Sequence, residues 1–69
     1  MPGSGRQRGT IKFFNARRGW GFIIGTGGGQ VFFHRSGLQE GNKPGEGDLV
    51  EFAVEATSRG PQATGIISL

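Results

Sequence analysis

The chain has no cysteine, one histidine and one tryptophan among its 69 residues. Without cysteine it can form neither a disulfide framework nor a thiol site, and it lacks the commonest ligand of structural zinc. Apolar stretches such as Phe22–Ile24 are far too short to span a bilayer. Residues 1–5 also lack the apolar segment of a signal peptide. We therefore expect a soluble cytoplasmic protein that holds no metal and no cofactor.

The sequence also lacks the residue combinations of an active site. A catalytic histidine needs an acid, a base or a nucleophile within reach, and His34 has no acid near it in the sequence. The glycines at positions 19, 21, 25 and 27–29 do not form a phosphate-binding loop, because neither a Lys-Ser/Thr pair nor a helix follows them. A domain of this size leaves no room for a deep cleft beside its core. These features predict a protein that is not an enzyme.

Acidic residues are missing from the first 39 positions. The cations of that part are Arg6, Arg8, Lys12, Arg17, Arg18 and Arg35. All five acids follow, beside two further cations, so the first part carries +6 and the rest −3. One interpretation of this asymmetry is chance solvation of the surface. The other is that a one-sided basic region attracts a polyanion, either nucleic acid or an anionic membrane.

Short runs of β-branched and aromatic residues, separated by glycines, follow a predicted flexible basic tail at residues 1–8. The five runs are Thr10–Asn15, Trp20–Ile24, Gln30–His34, Leu49–Ala56 and Gln62–Ser68. Residues 36–48 are rich in glycine and admit one helical turn at most, capped by Ser36 with Gln39. Because five short strands must close on themselves to hide their edges, the sequence predicts an all-β protein. We expect one five-stranded antiparallel barrel of the OB type over residues 9–69.

Six of the seven aromatic residues lie between positions 13 and 33. Because side chains alternate along a strand, a core that takes Ile23, Val31 and Phe33 leaves another set facing outward together. That outward set is Trp20, Phe22, Phe32 and His34. The first run is ambiguous: strict alternation buries Phe13 and exposes Phe14, whereas a bulge exposes Lys12 and Phe13 and buries Phe14.

An outward aromatic patch beside cations predicts binding of single-stranded nucleic acid, since bases stack on rings while Lys and Arg meet phosphates. One alternative is an ordinary core, but the second run has non-polar residues on both faces. Another is a peptide-binding small β-barrel, but such a domain usually has acids near its groove, whereas the aromatic region here is cationic. Binding to a membrane surface lacks the amphipathic helix that it would need.

Two segments resemble the ribonucleoprotein motifs of the cold-shock domain family. Arg18-Gly19-Trp20-Gly21-Phe22-Ile23 resembles the first motif, and Val31-Phe32-Phe33-His34 resembles the second. Residues 12–15 (KFFN) and 59–63 (RGPQA) are also similar to that family. The resemblance covers residues 9–69. It implies an OB-type barrel that binds single-stranded RNA and DNA with low sequence specificity, as an RNA chaperone or a regulator of transcription or translation.

The resemblance also implies the residues that meet the ligand. Those facing it are Lys12, Phe13, Trp20, Phe22, Phe32 and His34, bordered by Asn15 and Arg18, with Gln62 at the rim. Arg35 stands where the family usually has an aromatic residue, and a guanidinium can also stack. We expect a monomer with no small-molecule substrate, whose partners are single-stranded RNA and DNA.

Other departures from the family concern the same surface. Phe13 replaces the usual tryptophan of the first strand, and Trp20 replaces the usual phenylalanine of the first motif. Gln30 stands in place of the usual acid before the second motif. The loop at residues 36–48 is shortened and lacks the phenylalanine that the family has at a loop-side base subsite.

Overall fold

The computed structural model describes residues 6–69, and five strands make up most of them. The strands are β1 (Arg6–Asn15), β2 (Trp20–Gly25), β3 (Gln30–His34), β4 (Leu49–Thr57) and β5 (Gly60–Ser68). A single 3-10 turn, Arg35–Gly37, follows β3. All five runs expected from the sequence are strands, and the all-β fold class is confirmed.

The strands close into a barrel in the order β1-β2-β3-β5-β4. Four of the five pairings are antiparallel, as the sequence predicts. The fifth, between β3 and β5, is parallel and pairs Phe32 with Gln62. A closed ring with an odd number of strands cannot alternate direction throughout, so one parallel pairing is unavoidable.

The first strand starts earlier than the sequence indicates. Arg6 and Arg8, expected in the flexible tail, pair with Ala53 and Glu51 of β4. The guanidinium of Arg6 meets a Glu51 carboxylate oxygen at 3.2 Å and donates to the carbonyl oxygen of Gly65 at 2.7 Å. These contacts lie between residues far apart in the chain, which is why local composition does not reveal them. The rest of the predicted tail, residues 1–5, lies outside the described residues.

This early start gives a testable expectation. Replacing Arg6 with methionine keeps the aliphatic stem but removes the hydrogen bonds to β4 and β5. We expect the free energy of unfolding to fall by about 1–2 kcal/mol, the value of hydrogen bonds to a charged group after allowance for partial exposure. Urea denaturation measures it, and Arg59→Met in the β4–β5 turn is the control. Equal stability of both variants would show that Arg6 behaves as part of a tail.

Among residues 6–69, seven apolar side chains form the core: Ile11, Ile23, Phe33, Val50, Phe52, Ala63 and Ile66. Phe14, Val31 and Leu38 pack against them and are half-buried. The expected inward positions of β2 and β3, Ile23, Val31 and Phe33, therefore hold, whereas Val54 of β4 is exposed. Val54 lies near the β4–β5 turn at Thr57–Gly60, beyond the part of β4 that the core covers.

The long connection between β3 and β4 lies along β5 and then reaches β1. Gln39 donates its backbone N–H to the carbonyl of Ile66, and the side chain of Asn42 accepts one from Ser68. Farther on, the N–H of Gly47 donates to the carbonyl of Ile11. The helical turn at its start is not capped by Ser36 as expected, because His34 Nδ1 accepts the Ser36 N–H.

Candidate nucleic-acid interface

Four aromatic rings from three neighbouring strands lie together on the outside of the barrel. We call Phe13, Trp20, Phe22 and Phe32 the aromatic platform. Phe22 is in register with Phe13 of β1 on one side and Phe32 of β3 on the other. The Trp20 ring lies 5.3 Å from Phe13, 5.9 Å from Phe22 and 6.3 Å from Phe32, between ring centroids. Trp20 is therefore the ring that contacts all three of the others.

A β-bulge in β1 brings Phe13 to this surface. Ile11 pairs with Ile23 and Phe13 with Phe22, so Lys12 is an extra, unpaired residue. The bulge places Lys12 and Phe13 outward and turns Phe14 toward the core, where its ring lies 5.3 Å from Phe33. Of the two arrangements that the sequence leaves open for this strand, the structure has the bulged one.

The glycine between Trp20 and Phe22 lets β1 and the core approach β2 closely. A Cβ added to Gly21 would collide with the carbonyl oxygen of Phe13 and lie 2.8 Å from the Phe33 ring. The bulged strand β1 can therefore pack this closely on β2 only because residue 21 has no side chain. This contact fixes the distance between Phe13 and the other platform rings.

The platform rings are more accessible than the core rings. Phe13 is 38% exposed, whereas Phe33 and Phe52 are fully buried. Trp20, Phe22 and Phe32 are half-buried because each ring covers part of its neighbours. The outer faces of this cluster are available for stacking, and the sides of the rings support one another.

His34 continues the platform beside Trp20, with which it is paired across β2 and β3. Its Nδ1 lies 3.1 Å from the backbone nitrogen of Ser36. Because a backbone N–H can only donate, Nδ1 accepts, and the neutral ring carries its proton on Nε2. His34 therefore offers a ring face and one N–H donor at an exposed position.

Exposed cations flank the platform strands: Lys12 in β1, Arg17 and Arg18 in the β1–β2 turn, and Arg35 directly after β3. The ion pairs among residues 6–69 are those of Arg6 and Arg8 with Glu51, so the bordering cations are not neutralised by an acid there. Asn15 organises the turn, since its side-chain oxygen accepts the backbone N–H of Arg18 at 3.0 Å. Asn15 thus has a structural contact besides its expected place at the border.

Residues 7–69 match the family model described as the 'Cold-shock' DNA-binding domain. The chain belongs to the cold-shock domain family. It is 46% identical over 63 residues to Cold shock protein 1 of Lactiplantibacillus plantarum, covering 88% of this chain and 96% of that protein. It is 48% identical over 65 residues to Cold shock protein CspA of Staphylococcus saprophyticus, covering 91% and 98%. The resemblance found in the sequence is confirmed.

A solved structure described as drosophila Unr CSD456 has the same cold-shock fold. It superposes with a TM-score of 0.80 at 29% sequence identity. The match covers 97% of this chain and 28% of that one, so this chain spans little more than a quarter of it. The five-stranded barrel is therefore shared with a longer protein.

At the opposite edge of the platform of this cold-shock barrel, Gln62 of β5 lies beside Phe32, and the acid Glu55 of β4 lies next to Gln62. Gln62 pairs with Phe32 across the parallel β3–β5 ladder and with Glu55 across β4–β5. Glu55 is exposed, so this edge carries a negative charge while the β1–β2 turn edge carries positive ones. The sequence does not reveal this neighbour, because it does not show which strand lies next to β3. A phosphate backbone is favoured at the edge with the cations.

One contact at this site could not be expected from the sequence. The side chain of Arg35 lies over Gly19, so that a Cβ added there would be 2.8 Å from Arg35 Cδ. Gly19 has a φ of +80°, and its carbonyl accepts the backbone N–H of Arg35. Nothing local in either segment indicates that they meet. Among residues 6–69, no group of side chains could hold a metal ion and no helix could cross a membrane.

Proposed function

We propose that this cold-shock domain binds single-stranded RNA and DNA with low sequence specificity by stacking bases on the aromatic platform. The single observation that carries the proposal is the cluster of four outward rings beside cations that have no acidic partner among residues 6–69. The ligand-contacting residues of the proposal are Lys12, Phe13, Asn15, Arg18, Trp20, Phe22, Phe32, His34, Arg35 and Gln62. Membership of a nucleic-acid-binding family supports the same assignment.

The proposed cellular role is that of an RNA chaperone or a regulator of transcription or translation. Stacking favours unpaired bases, so a protein that binds this way shifts RNA from paired to open forms. The protein would act in the cytoplasm and as a monomer. It would act without catalysis, since the platform offers ring faces and cations. This role follows the cold-shock relatives and depends on the binding activity.

A titration with short oligonucleotides tests the binding activity. A pyrimidine-rich single strand should bind saturably, and a duplex of the same sequence much more weakly, because paired bases cannot reach the rings. Fluorescence anisotropy of a labelled strand measures both affinities. Equal affinity for the two forms would contradict stacking on the platform.

The salt dependence of the affinity reports the cations. About three or four phosphates should be met by the bordering cations, and each contributes a slope of about −0.7 for single strands. We therefore expect the logarithm of the association constant to fall by roughly 2–3 per tenfold increase in salt. Lys12→Gln should reduce the slope by about one phosphate equivalent. An affinity that does not change with salt would contradict the role of these cations.

A further inference from the structure

Arg35 is held at the edge of the platform by contacts along its stem. Its backbone N–H donates to the carbonyl oxygen of Gly19 at 2.7 Å. Its Cδ and Nε lie 2.8 and 3.1 Å from where a Cβ of Gly19 would be, and Gly19 is buried beneath. Gly19 directly precedes Trp20, and Arg35 directly follows His34. The stem of Arg35 therefore lies over the residue that precedes Trp20, at the Trp20–His34 end of the platform.

The donors of this guanidinium are available to a ligand. Arg35 is exposed, and the ion pairs among residues 6–69 leave it without an acidic partner. Neighbouring charge is also positive, since Arg17 and Arg18 are exposed in the β1–β2 turn. Those two arginines are exposed in a turn and can follow a mobile phosphate backbone. Arg35 differs from them because its stem lies over Gly19.

A base stacked flat on a ring shows its hydrogen-bonding atoms at its perimeter. A residue at the rim of the platform therefore meets base edges, whereas a residue under the base meets its face. The planar fork of a guanidinium fits two adjacent acceptors, and guanine offers such a pair in O6 and N7. We propose that Arg35 makes the Trp20–His34 end of the platform selective for guanine. This inference rests on the proposed binding of single strands.

The test moves one guanine through a short oligothymidylate and measures affinity for each position. One position should bind about 5- to 150-fold more tightly than thymine there, the equivalent of one bidentate pair. Replacing that guanine by 7-deazaguanine, which lacks the N7 acceptor, should remove most of the gain. Cytosine and adenine are also tested at the same position. Cytosine is the critical comparison, because it too has two adjacent acceptors.

Variants separate base recognition from charge. Arg35→Lys keeps the charge but loses the fork, so it should weaken binding of the guanine-containing strand more than binding of oligothymidylate and thereby abolish the guanine preference. Arg35→Phe should also abolish the preference. Arg17→Gln, the control, removes a neighbouring charge and should weaken all strands alike while the preference remains.

Several results would overturn the inference. They are a cytosine preference, a guanine preference that survives Arg35→Lys, or equal weakening of every strand by Arg35→Gln, which would make Arg35 a phosphate contact. In each case the affinity is compared with that of oligothymidylate, which must itself bind. Absence of oligothymidylate binding by the folded wild-type protein would instead refute the proposed function, so the two failures are distinguishable.

Discussion

Replacing Trp20 with alanine should weaken binding of a pyrimidine-rich single strand by about 5- to 150-fold, which corresponds to one stacked base. Trp20 contacts three other platform rings, so its loss also loosens the surface that the remaining bases would use. Because it is the only tryptophan, its fluorescence reports the wild-type complex directly. Stacking should quench the emission saturably, and a duplex should quench it much less.

The barrel should remain folded in this variant. Trp20 is half-buried on the outside, whereas truncation of a buried aromatic such as Phe33 typically costs about 3–5 kcal/mol. Trp20→Phe is the matched control, since it keeps a ring and should retain most of the affinity. Unfolding of Trp20→Ala, or wild-type emission that stays constant during binding, would falsify the stacking role.

Replacing Gly21 with alanine should destabilise the barrel by about 3 kcal/mol or more, at the upper end of the cost of overpacking. The added Cβ meets the backbone oxygen of Phe13 and the fully buried ring of Phe33. Neither can move away without shifting β1 or the core. A domain of this length has about 3–10 kcal/mol of stability in total, so a large share of the variant should be unfolded.

Gly27→Ala is the control for this substitution. Gly27 lies in the β2–β3 turn with no atom near the added Cβ and without a positive φ, so stability should change by less than about 0.5 kcal/mol. Thermal denaturation followed by circular dichroism measures both variants. A Gly21→Ala protein as stable as Gly27→Ala would show that β1 can yield at Phe13, and that the platform spacing is not fixed by this contact.

The departures that the resemblance implies should concentrate the proposed binding on fewer rings. The β3–β4 connection has no aromatic residue, and its Asn42 side chain is engaged with β5. Arg35 stands where the resemblance implies a further ring. We therefore expect this protein to depend more on Trp20, Phe22 and Phe32 than its relatives do, with correspondingly larger losses when one of them is removed.

Strand positions and the outward aromatics could be predicted because both depend on local periodicity. β-Branched and aromatic runs bounded by glycine indicate strands, and alternation places Trp20 and Phe22 on one face of β2. Alternation also places Phe32 and His34 of β3 outward, and the structure adds the register that pairs Trp20 with His34 and Phe22 with Phe32. The expected role of these residues in binding stays a prediction until an oligonucleotide is titrated.

The sequence by itself determined the five strands, the OB-type barrel, the aromatic face and the cations near it. Only the tertiary structure decided the bulge at Lys12, the start of β1 at Arg6 and the packing of Arg35 on Gly19. The physical reason is the range of the interactions. Alternation is imposed by neighbouring residues, whereas a bulge, an edge pairing or a side chain lying on a distant glycine depends on which strands closure of the barrel brings together.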